Sequence, residues 1–94
     1  MAKLFSRAAA FEHIQSFLDD THGQITIGQI PPIRKAALAA QGKHPRVSLV
    51  ARPNETVADL LTRLDAALAD FLASGTITDE VLPEIKRQRD ANNK

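Results

Sequence analysis

Cysteine, tryptophan and tyrosine are all missing from this chain of 94 residues. Without cysteine there is no disulfide, no thiolate zinc site and no cysteine nucleophile. Without Trp or Tyr, and with most of the four Phe falling in apolar stripes, the exposed stacking platforms that hold single-stranded bases are not provided. Glycine is scarce and scattered. Gly23, Gly28, Gly42 and Gly75 stand alone, so no glycine-rich loop cradles a phosphate. No run approaches the roughly 20 apolar residues that span a bilayer. The opening MAKLFSRAAAF is interrupted by Arg7 and followed by Glu12, a poor match to a secretory signal. These absences lead us to expect a cytoplasmic protein with no membrane partner.

Catalysis has equally little to draw on. His13, His22 and His44 are scattered, and none stands beside a nucleophile at a recognised spacing. The segment DDTH offers Asp19, Asp20 and His22 as metal ligands, but a metal site needs three or four convergent groups. The plainer reading is a polar helix end. We therefore expect no catalytic residue, no metal and no cofactor, and read the chain as non-enzymatic.

What is present is charge of one sign at a time. The net charge is only +1, yet no Asp or Glu occurs from Thr21 to Asn54, although the chain has 11. That stretch holds Arg34, Lys35, Lys43, Arg46 and Arg52 unopposed. Residues 55–85 invert the balance, with seven acids against Arg63 alone. Lys86, Arg87, Arg89 and Lys94 then face a single Asp90. A near-neutral total hides a segregated chain.

Periodicity predicts six elements in the order α-β-α-β-α-α. Phe11, Ile14, Phe17 and Leu18 repeat at helical spacing over 7–20, behind a capping Ser6, and Gly23 suits the left-handed position that follows a helix. QITIGQI alternates as a short strand ending near Gly28. Pro31-Pro32 stops it, and Pro32 suits the first position of a helix through the Ala-rich PIRKAALAAQG. HPRVSLVARP returns to the strand pattern. With a helix between them, the two strands are far enough apart for a parallel crossover.

The clearest signal is TVADLLTRLDAALADFLASG. Val57, Leu60, Leu61, Leu64, Leu68, Phe71 and Leu72 form one stripe, and Thr56 with Asp59 forms a capping-box start. Asp59 and Arg63 are spaced for an i,i+4 ion pair. Past Gly75, acids at Asp79 and Glu80 suit a helix start, and Pro83 suggests one turn followed by a fresh start to about Arg89. The expectation is one small α+β domain over 1–90, with a frayed tail at 91–94. Two short strands pack on helices dominated by the long amphipathic helix at about 56–73. A two-stranded sheet is marginal alone, so either that helix covers it or a homodimer completes it.

Two binding surfaces are candidates. Arg34, Lys35, Lys43, Arg46 and Arg52 could converge into a face that neutralises duplex nucleic acid phosphates; the plainer reading is dispersed solvated charge. Asp59, Asp65 and Asp70, on the outer face of the long helix, could dock a basic protein, making the chain a regulatory adaptor. Within this region, RVSLVARPNETVADLLTRLDAAL resembles the strand-into-helix half of a ribbon-helix-helix repressor. That resemblance covers about a quarter of the chain, and some 45 residues precede its strand. It implies strands paired across a dimer and inserted into the major groove, with Arg46, Ser48 and Val50 facing bases.

Overall fold

The computed structural model describes residues 11–92. Among them run α1 (Glu12–Asp20), β1 (Gln24–Ile30), β2 (Ile33–Gln41), β3 (His44–Val50), α2 (Val57–Ser74), β4 (Thr78–Asp79) and α3 (Val81–Asn92). The class is α+β, but with four strands rather than two. The strands lie in the order β1-β2-β3-β4. The first three form an antiparallel meander, and β4 adds in parallel to β3. Ser6 and residues 7–10 of the expected first helix lie outside the described residues.

The main correction is at residues 33–41, where the sequence predicts a helix and the chain forms the strand β2. Alanine favours helices in isolation, but β2 is the second of four strands and is paired on both sides. Ala36, Ala37 and Ala39 are all completely buried. Small side chains on both faces of a central strand let helices approach it from either side, and this tertiary fit overrides propensity. The expected parallel crossover therefore does not exist. Pro31-Pro32, joined by a cis peptide, makes the turn between β1 and β2. Gly42, at φ 59°, sits in the next turn, a left-handed conformation that glycine adopts without a Cβ penalty.

Alternation along the meander sorts its two faces. Ala37 and Ala39 on β2, with Val47 and Leu49 on β3, meet Leu60, Leu64 and Leu68 of α2 and Phe17 of α1 in the main core. Leu38 and Ser48 point the other way, toward α3. Phe17 meets Phe71 edge-on, with centroids 6.1 Å apart, within the range aromatic pairs prefer. Gly23 is not the left-handed residue after α1. His22 takes that role at φ 57°, and Gly23 is needed because any Cβ there would run into the Phe17 ring.

α2 forms as the sequence predicts. Thr56 accepts from the Asp59 amide, and Asp59 accepts from the Thr56 amide, which completes the capping box. Gly75 closes the helix in the left-handed conformation. Because Asp59 serves as a cap, Arg63 makes different ion pairs from the one its spacing suggests. Its Nε reaches Glu55 at 2.7 Å, one Nη reaches Glu80 at 3.0 Å, and the other donates to the Val50 carbonyl at 2.9 Å. Glu80 also accepts from the Val50 amide.

α3 is one continuous helix, not a turn and a restart. Pro83 falls in its first turn, where the amide has no intrahelical partner to lose. Asp79 Oδ1 accepts from the amides of Val81 and Leu82, and the helix continues to Asn92, beyond the expected end near Arg89.

Two substitutions test this packing. Arg63→Met, which keeps the aliphatic bulk, should lower stability at neutral pH by about 2 kcal/mol, the scale of lost hydrogen bonds to charged groups. The Arg63 hydrogen bonds, helped by the Arg52 amide, hold the Glu55 carboxyl at about 2 against an ordinary 4.5. A depressed carboxylate stabilises above its ordinary value and loses that contribution as pH falls toward its folded value. The gap between wild type and Arg63→Met in urea unfolding should therefore narrow between pH 4.5 and 2. Gly23→Ala should lower the melting temperature through displacement of Phe17, seen as loss of ring-current shifts on Phe71.

Candidate functional site

The five cations of the acid-free stretch do not meet. Arg34 and Lys35 stand at the start of β2, not in the first turn of a helix, and Arg52 lies just past the paired end of β3. The Lys35 carbonyl accepts from Ala51. Lys43 and Arg46 belong to the opposite end, where Gln41 pairs with His44. Gln41 lies six positions along the strand from Lys35, roughly 20 Å at the usual rise.

Several of these cations are engaged internally. Lys35 Nζ donates to the Glu55 carbonyl at 3.2 Å. Arg46 donates to Gln41 at 2.7 Å and stacks over Phe71, 5.4 Å from its centroid. Arg52 contributes only its backbone amide, which donates to Glu55; its guanidinium makes no hydrogen bond or ion pair among the described residues. Among the described residues, Arg34, Lys43 and Arg52 are the members of the set that are exposed with no side-chain hydrogen bond or ion pair.

The ribbon arrangement that the resemblance implies does not form either. β3 is an interior strand with β2 on one side and β4 on the other. Ser48, one of the supposed base-reading residues, is only 7% exposed.

The acidic candidates also separate. Asp59 belongs to the capping box. Asp65 reaches across to α1, where Oδ1 accepts from the amides of His13 and Ile14, each at 2.9 Å, and Oδ2 lies 2.9 Å from His13 Nδ1. The N-cap of α1, Phe11, provides no side-chain cap, so an acid from another helix satisfies its first amides and complements its dipole. Asp70 alone is left exposed without a side-chain partner among the described residues. No three His, Asp or Glu side chains cluster as metal ligands among the described residues, and no described helix is long and apolar enough to cross a membrane.

A different concavity lies between α3 and the sheet. It is about 260 Å³ and open to solvent. Leu38, Pro45 and Ser48 form its floor, and Asp79, Leu82 and Ile85 form its wall. The body is apolar, and the polar groups sit together because Ser48 and Asp79 are register partners. Asp79 Oδ1 holds the start of α3, while Oδ2 and the Ser48 hydroxyl have no partner among the described residues. Leu82, at the rim, is 56% exposed. The spacing of Val81, Leu82 and Ile85 carried this signal in the sequence. Breaking the helix at Pro83 concealed it.

Comparison of the chain with protein-family models, characterised proteins and solved structures returned no match.

The α1 anchor has a measurable signature. The hydrogen bond to Asp65 raises the His13 pKa above 6.5; desolvation opposes this, and the charges of Asp65 and Glu12 reinforce it. A raised histidine stabilises the fold fully below its ordinary value, and that contribution is lost as pH rises through the folded pKa. Asp65→Asn should bring the His13 titration, followed by imidazole proton shifts, back toward 6.5. Asp65→Ala should cost about 1 kcal/mol, as for other lost helix caps.

Proposed function

We propose that the chain is a small non-enzymatic binding module that takes a short basic and apolar segment of a partner protein into the groove between α3 and the sheet. The observation that supports this is the division of the groove into an apolar body and a polar end made by Ser48 and Asp79. A lysine or arginine side chain matches that division, since its methylene stem lies along apolar surface while its charged tip seeks an acceptor. Asp79 Oδ2 offers that acceptor without giving up the helix-capping oxygen. The exposed Leu82 adds apolar surface at the rim. This is the adaptor reading moved from the outer face of α2, where Asp59 and Asp65 serve the fold, to the opposite side of the sheet.

Contact with duplex nucleic acid is the second reading. Its support is the set of exposed cations without side-chain partners, Arg34 and Arg52 at one end of the β2–β3 hairpin and Lys43 at the other. Phosphates bound at both ends would span roughly 20 Å of strand.

An amide-resolved titration separates the two. A synthetic peptide of alternating Leu and Lys should shift Ser48, Leu82 and Ile85, while a Leu–Glu peptide should not. Asp79→Asn, which keeps a capping oxygen, should weaken the Leu–Lys peptide roughly two- to fivefold, as expected for a solvent-accessible charge pair. Shifts at Arg34 and Lys43 with a DNA duplex at low salt, and none in the groove with the peptide, would favour nucleic acid instead.

A further inference from the structure

We infer that β1 is a self-association edge, through which two copies of this chain pair antiparallel to make one continuous eight-stranded sheet. The sheet has two edges. β4 is two residues long and leads directly into α3, whereas β1 is seven residues long, and no described strand pairs with its outer side. Exposed edges of that length are normally protected by charge, proline, a covering element or a bulge. QITIGQI contains no charge and no proline. Its one irregularity lies between Gly28 and Ile30, at the far end, so residues 24–28 keep a regular ladder.

The pattern within β1 is self-complementary. A two-fold axis perpendicular to the sheet through Thr26 sets Ile25 against Ile27 of the second copy and Gln24 against Gly28. Directly opposite residues in antiparallel pairs share a face, so the apolar residues of both copies meet on the side of the main core. Ile27 is 37% exposed in the single chain, and this pairing covers it. Such a contact is isologous and closes at two copies, so it does not propagate into a fibre.

Charge supports a second copy over an unrelated strand. Asp19 and Asp20 are exposed just before β1, and Arg34 is exposed on β2 beside the far end of β1. None of the three has an ion-pair partner among the described residues. Antiparallel pairing brings the acidic end of each copy to the Arg34 end of the other.

The test is sedimentation equilibrium of the full chain from about 10 µM to about 1 mM, because association depends on concentration. A monomer–dimer equilibrium is expected. Thr26→Lys sets two like charges directly opposite at the axis and should weaken the dimer about fivefold or more. Ala66→Lys, on an exposed part of α2, should not. Asp20→Arg and Arg34→Asp should each weaken the dimer, and the two together should restore it, which tests the model without altering the strand. In a sample mixing labelled and unlabelled copies, a nuclear Overhauser effect between Ile25 and Ile27 should cross the interface. A monomer throughout the range, or a dimer unaffected by Thr26→Lys and by the charge exchange, would overturn the inference.

Discussion

Arg63 is the constraint on which the rest of the structure depends. One guanidinium from the middle of α2 reaches the loop before the helix through Glu55, the end of β3 through the Val50 carbonyl, and the start of α3 through Glu80. Glu80 closes the circuit by accepting from the Val50 amide. Both backbone groups of Val50 are thereby satisfied by side chains where the ladder ends. The planar fork of arginine suits this task, since lysine offers a point charge that cannot address three directions in one plane. β4 contributes only two ladder positions, too little to hold α3 by itself. The groove therefore owes its outer wall to an ion cluster on the opposite side of the sheet.

The legible parts of the sequence were those governed by local rules. α2 carried a capping box, a terminal glycine and a stripe at helical spacing; the caps formed as expected, and Leu60, Leu64 and Leu68 of the stripe are buried while its ends, Val57 and Leu72, are exposed. β1 and β3 alternated and formed strands. Residues 33–41 failed because local preference and tertiary demand diverge there. Alanine is the best helix former, but it is also the side chain that allows close approach from two faces. Pro83 failed for a related reason, since its cost depends on whether it stands within the first turn, and that turn is set by Asp79 rather than by the proline.

Charge was the feature least translated by sequence order. The acid-free stretch looked like one basic surface, but a hairpin sends its cations to opposite ends. The acids of α2 looked like one face, but Asp59 and Asp65 cap two different helix starts. Arg63 seemed destined for the neighbour four residues away and instead serves acids 8 and 17 residues distant. Spacing fixes which side chains share a helix face. It does not state which unsatisfied amide elsewhere in the fold has the stronger claim on them.

The alanines of β2 have one more consequence. Ala37 and Ala39 set the distance between sheet and α2, and the Arg63 fork reaches the Val50 carbonyl across that same gap. A bulkier residue in the core would lift the helix and lengthen the arms of the ion cluster to Val50 and Glu80 together. Steric volume in the core and electrostatics at its margin are thus one mechanical variable. Substitutions at the two places, though chemically unrelated, are coupled in energy rather than independent.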